Sequence, residues 1–236
     1  MGRKKIDLGS IKNIHLMGVG GAGMSGLALL FRELGFNVSG CDMGRTAYVE
    51  KLEKAGVKIL YGHDVHHLDA CAVDLLAYSS AIPASNPELA EARRKEIPVL
   101  QRAELLSLLF DSKNGIGVAG THGKTTTTSL ISYILEQADM QPTIAVGGEL
   151  CDIGCNAKLG MGEYMVAELD ESDESFEYFH PLYSVVTNVD WDHVNQYPDL
   201  QAVIDAFGRF LRNTKEGGKL FLCGEDAGVK KVIEAL

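Results

Sequence analysis

Short apolar runs bounded by glycine or polar residues alternate along this chain with longer stretches whose apolar positions recur at helical spacing. Asn13–Met17, Asn37–Cys41, Lys58–Tyr61, Leu75–Tyr78 and Val99–Leu100 read as strands. Met24–Leu34, Ala47–Ala55, Pro87–Lys95 and Ala103–Phe110 read as helices. The polar, turn-rich Asp111-Ser112-Lys113-Asn114 breaks the pattern, and a second series begins. Strands are expected at 115–119, Thr143–Val146, Tyr164–Ala167, Tyr183–Thr187 and Lys219–Cys223. Helices are expected at Thr126–Gln137, Leu200–Leu211 and Ala227–Leu236.

Strands alternating with helices predict parallel sheets covered on both faces, so each series reads as an α/β domain. The expected organisation is a Rossmann-like parallel-sheet domain over 1–110 and a P-loop-type α/β domain over 111–236. At 236 residues the chain is long enough for two such cores. A formal net charge of −10 argues against a nucleic-acid or membrane-surface partner, which would need a basic face. No apolar run reaches the length of a membrane span, and the basic stretch Met1–Asp7 is not followed by the apolar core of a signal peptide. A cytoplasmic location is therefore expected. Five scattered cysteines (Cys41, Cys71, Cys151, Cys155 and Cys223) fit reduced thiols. Cys151 and Cys155 lack a second Cys/His pair at ligand spacing, so no zinc site is expected there.

The segment Gly117-Val118-Ala119-Gly120-Thr121-His122-Gly123-Lys124-Thr125-Thr126 lies between a strand and a helix. That context suits a nucleoside-triphosphate cradle, in which loop N–H groups and the positive end of the helix meet the phosphates. Lys124 would reach the outer phosphates, and the Thr125 hydroxyl would ligate Mg²⁺. The usual pattern wants glycine where Val118 stands.

A second glycine loop, Gly18-Val19-Gly20-Gly21-Ala22-Gly23, follows the first strand, and Asp42 ends the next one. This order matches a dinucleotide fingerprint with its ribose-binding acid. The same contacts serve a UDP-sugar, so NAD(H) and a UDP-sugar both stay open on the motif alone.

In the second domain, Glu168 closes a buried strand and is placed to hold Mg²⁺, with Asp170 and Asp173 as alternatives. Glu171, Glu174 and Glu177 read as a solvated acidic loop. Asn188, Asp190, Asp192 and His193 follow the next strand and reach the same sheet edge, where His193 suits a divalent ion or a phosphate.

Five stretches carry a resemblance: IHLMGVGGAGMSGLA (14–28), YSSAIPASNPE (78–88), GTHGKTTTT (120–128), AELDESDESF (167–176) and TNVDWDHVNQY (187–197). In this order they resemble the Mur ligase family, and within it the alanine-adding branch. The branch that recycles murein peptides usually carries Cys and bulky residues where GGAGMSG stands here.

The resemblance implies an ADP-forming amide ligase of peptidoglycan precursor synthesis, acting on UDP-N-acetylmuramate, L-alanine and ATP with Mg²⁺, as a monomer or homodimer. It implies ATP contacts from Gly120, Thr121, His122, Gly123, Lys124, Thr125, Thr126 and Asn188. Metal contacts fall to Thr125, Glu168 and His193, and the chemistry to Lys124, Glu168 and His193. UDP-sugar contacts fall to Gly18, Gly20, Gly21, Gly23, Met24, Ser25 and Asp42, with His63, Ser79, Ser80 and His122 beside them. The family carries a longer central domain and a third domain. Residue 236 falls before both, so the central domain is expected to be incomplete and the isolated chain to have little or no ligase activity. A UDP-sugar-binding fragment without catalysis is the alternative.

Overall fold

The computed structural model describes residue 6 and residues 8–150, 155–172, 174–192 and 196–236. The chain divides into two compact units, Met1–Leu105 and Leu106–Leu236. The division falls inside a helix, Arg102–Asp111, a few residues before the polar turn that marks it in the sequence.

In the first unit the strands are β1 (Asn13–Met17), β2 (Asn37–Asp42), β3 (Lys58–Tyr61), β4 (Leu75–Tyr78) and β5 (Val99–Gln101). The helices are α1 (Ala22–Glu33), α2 (Ala47–Lys54), α3 (His67–Ala70) and α4 (Pro87–Arg94), with α5 (Arg102–Asp111) crossing the division. The sheet order is β3-β2-β1-β4-β5, and every pairing is parallel. Ile14, Leu16 and Met17 of β1 are fully buried, and α1 lays Leu27, Leu30 and Phe31 into the core. Thr46 caps α2 by accepting from Val49 N, and Asn86 caps α4, whose first residue is Pro87. Strand order reverses at β1, so the crevice beyond its carboxyl end is where such a sheet takes a ligand.

The second unit contains β6 (Asn114–Ala119), α6 (Lys124–Gln137), β7 (Thr143–Leu150), β8 (Cys155–Lys158), β9 (Tyr164–Glu168), β10 (Tyr183–Val186), α7 (Leu200–Arg212), β11 (Lys219–Leu222) and α8 (Ala227–Glu234). Its order is β11-β10-β6-β9-β7-β8, parallel except for β8, which runs antiparallel to β7. Strand β8 and the single-turn α3 were not expected, because neither carries an apolar run or a helical repeat long enough to register. Strand β6 is the switch point here, flanked by β9 and β10.

Helix α7 buries Val203, Ile204, Phe207, Phe210 and Leu211 on one face. Phe176, in the loop after β9, packs edge-on against Phe207 at 5.2 Å and stacks on Phe210 at 5.1 Å. Those rings fix the acidic loop beside the sheet edge. No helix among the described residues is long and apolar enough to cross a membrane.

Candidate functional site

The loop between β6 and α6 is tied down on both sides. Asn188, just past β10, accepts from His122 N through Oδ1 at 2.8 Å and donates from Nδ2 to His122 O at 2.8 Å. Thr187 Oγ1 donates to His122 O at 2.7 Å. Thr121 N donates to Asn188 O, and Asp190 N donates to Thr121 Oγ1. Gly120 sits at φ +137°, and a Cβ there would fall 2.1 Å from Thr187 Oγ1, so the close approach requires glycine. Gly123 caps α6 without a side chain, and no side-chain bond occupies the cap. First-turn N–H groups and the helix dipole are thus left for an anion.

Lys124 opens α6. Its Nζ donates to Gly120 O at 2.7 Å and to Glu171 Oε1 at 2.9 Å. Glu171 is buried, so its reading as part of a solvated acidic loop is corrected: it is the counter-ion of the loop lysine. Its backbone carbonyl accepts from the buried Tyr197 hydroxyl at 2.5 Å, and burial pushes that phenol's pKa up. Glu174 and Glu177 pair with Arg209 at the surface. Thr125 Oγ1 donates to Glu168 Oε1 at 3.0 Å, which brings together two of the residues expected to hold metal. Thr126 and the His122 side chain are exposed. His193 and Asp173 lie outside the described residues.

In the first unit the glycine loop follows β1. Gly18 N and Val19 N both donate to Cys41 O, at 2.8 and 3.2 Å. Asp42, expected on a ribose, accepts from Gly20 N at 2.7 Å and from Gly44 N at 3.1 Å. A Cβ on Gly20 would lie 2.7 Å from Asp42 Oδ2, so only glycine fits against the carboxylate. Gly23 faces Arg102, whose side-chain atoms would stand 3.2–3.4 Å from a Cβ there. Gly21 is the N-cap of α1 and makes no side-chain cap bond. The side chains of Met24 and Ser25 are buried, and Ser25 Oγ turns back to Ala22 O, so these two offer a ligand their backbone only. Ser79, after β4, packs against Gly18, and Ser80 is exposed. His63 is turned inward, with Nδ1 3.2 Å from Glu88 Oε2.

The chain matches two family profiles: the Mur ligase family catalytic domain over residues 13–114 and the Mur ligase middle domain over 118–236. The chain belongs to the Mur ligase family. It is 46% identical over 227 residues to the UDP-N-acetylmuramate–L-alanine ligase of Methylococcus capsulatus, covering 96% of this chain and 48% of that one. Against the enzyme of the same name from Desulforamulus reducens it is 44% identical over 229 residues, covering 97% of this chain and 49% of the relative. The chain therefore spans about half the length of these curated relatives. Among solved structures it resembles the UDP-N-acetylmuramate–alanine ligase of Thermotoga maritima, at 32% identity and TM-score 0.81, covering 94% of this chain and 51% of that one. It also resembles the UDP-N-acetylmuramate:L-alanyl-γ-D-glutamyl-meso-diaminopimelate ligase of Neisseria meningitides, at 28% identity and TM-score 0.88, covering 96% and 76%.

Membership in the Mur ligase family leaves the NAD-dependent oxidoreductase reading of the first loop without support. Two site features escaped sequence reasoning. Glu171 sits in an acid-rich run with nothing local to mark it as buried. Thr187 was expected only as the end of a strand, and its bond to His122 O appears once β10 is seen beside β6.

Proposed function

We propose that the protein carrying this chain is an ATP-dependent, ADP-forming ligase that joins L-alanine to the carboxylate of UDP-N-acetylmuramate in the cytoplasm. The observation that carries this reading is the β6–α6 loop, with Lys124 drawn toward Gly120 and the Thr125 hydroxyl 3.0 Å from Glu168 at the end of β9. The identities of 44–46% to relatives bearing that enzyme's name support the choice of substrates.

Thr125 and Glu168 offer hard oxygen donors side by side, which suits Mg²⁺ better than a softer ion. Bound there, Mg²⁺ screens the repulsion between a carboxylate and a triphosphate. Lys124 neutralises charge on the outer phosphates, and the first-turn N–H groups of α6 orient them. The muramoyl carboxylate oxygen attacks the γ-phosphorus and ADP leaves, giving an acyl phosphate. The L-alanine amine then attacks the acyl carbon, and inorganic phosphate departs. The β1–α1 loop is the natural seat of the UDP diphosphate, because Gly21 opens α1 with no side-chain bond on the helix cap.

The test is mass spectrometry of the product formed by the full-length protein from UDP-N-acetylmuramate, ATP and an equimolar mixture of L-alanine and L-alanyl-γ-D-glutamyl-meso-diaminopimelate. The reading predicts the single-alanine adduct, formed with stoichiometric ADP. The tripeptide adduct alone would move the chain to the recycling branch.

A further inference from the structure

Behind the glycine loop of the first unit, four elements converge on one buried carboxylate. Glu88, near the start of α4, is fully buried. His67 Nδ1, from α3, is 3.1 Å from its Oε1, and His15 Nε2, from β1, is 3.5 Å from the same oxygen. Cys41 Sγ, from β2, is 3.5 Å from its Oε2. One donor atom from each of these four residues lies within 4.8 Å of every other. His15 is fully buried, and its Nε2 has no hydrogen-bond partner although it is aimed into this cluster. An orphaned buried ring nitrogen needs a physical reason.

We propose that His15, Cys41, His67 and Glu88 bind one transition-metal dication, with zinc the best match. Two imidazoles, a thiolate and a carboxylate are a donor set that zinc takes in tetrahedral sites. Bonds of about 2.0–2.3 Å would separate the ligand atoms by roughly 3.3–3.8 Å, a small contraction from the present spread. The surroundings already orient the ligands. Ser39 Oγ lies 2.8 Å from His15 Nδ1 and can accept from it in the tautomer that turns the Nε2 lone pair to the cluster. His63 Nδ1, 3.2 Å from Glu88 Oε2, steadies the carboxylate from the outer side.

A dication would match a Cys41 thiolate and the Glu88 carboxylate in the same pocket. Cys41 S–H loses its proton to solvent as the sulfur–metal bond forms, and the two negative charges are matched. Cys41 also accepts the loop N–H groups of Gly18 and Val19 on its carbonyl, so the metal would brace the β1–α1 loop from beneath. Of the pair weighed for zinc in the sequence, Cys151 and the side chain of Cys155 lie outside what the structure describes.

The experiment titrates chelator-treated chain with Co²⁺ alone under reducing conditions, followed by absorption. The site predicts one equivalent bound, a thiolate-to-cobalt charge-transfer band with visible bands of tetrahedral intensity, and displacement by Zn²⁺. Cys41→Ser abolishes the charge-transfer band, whereas Cys71→Ser and Cys223→Ser keep it. His67→Asn, the milder change, weakens Co²⁺ binding by roughly tenfold or more and decides the matter if Cys41→Ser fails to fold. A titration with no thiolate band overturns the proposal, since ions held by the oxygen donors near Lys124 give none. So does a band that survives Cys41→Ser, one lost in Cys71→Ser, or unchanged affinity in His67→Asn.

Discussion

Lys124 Nζ stands 2.9 Å from Glu171 Oε1, joining the first residue of the phosphate-loop helix to a buried acid of the loop after β9. Glu171 is held in turn through its backbone by Tyr197 and, through the neighbouring Phe176, by the rings of α7. The lysine is thus kept near the loop carbonyls before any phosphate arrives, with little side-chain freedom left to lose. Lys124→Ala and Glu171→Gln are expected to be non-additive in urea unfolding, with a coupling of about 1–3 kcal/mol. Additive losses would mean that the two side chains are neighbours without being partners.

Glu168→Gln, with Thr125→Val beside it, tests the metal side of the same loop. Each change should lower the Mg²⁺-dependent part of ATP-analogue binding by roughly tenfold or more, and leave binding in chelator nearly unchanged. Equal losses with and without Mg²⁺ would place these residues on the nucleotide rather than the ion.

In the first unit, Asp42 fastens the glycine loop by accepting from Gly20 N and Gly44 N. Asp42→Ala removes both bonds and should destabilise the unit by about 1–2 kcal/mol. Gly20→Ala forces a Cβ into the carboxylate and should cost about 1–3 kcal/mol. Both variants should weaken UDP-N-acetylmuramate binding measured by calorimetry and spare ATP-analogue binding. A parallel loss of ATP binding would contradict a role confined to this loop.

Asn188 exchanges two hydrogen bonds with the backbone of His122, so its amide holds the shape of the loop. Asn188→Leu leaves His122 N and O without those partners and should reduce ATP-analogue affinity by roughly tenfold, with a loss of about 1 kcal/mol in stability. Unchanged affinity would show that the loop holds its shape through Thr187 and Thr121 alone.

Local features made much of this legible. The strand–glycine–helix order around Gly18–Gly23 and Gly120–Thr126 is written in adjacent residues, and both loops lie at the carboxyl ends of the switch-point strands. Glu168 was placed by strand-end reasoning and Thr125 by the phosphate-loop motif, and the two meet at 3.0 Å. What could not be read depends on distant partners. Tyr197, which bonds the Glu171 carbonyl, and α7, whose rings pack on Phe176, lie well downstream in the sequence. Asp42 stands where a ribose acid was expected, but only the folded loop reveals its bond to Gly20. His15, Cys41, His67 and Glu88 come from four elements whose spacing forms no motif, and a parallel sheet had to bring them together.

The most direct measurement is calorimetric titration of this chain with UDP-N-acetylmuramate and, separately, with NADH, Mg²⁺ present in both. The account predicts one site for the UDP-sugar, weakened by Gly20→Ala, and no heat of binding from NADH. Binding of NADH with none of the UDP-sugar would contradict the reading of the β1–α1 loop on which the proposed function rests.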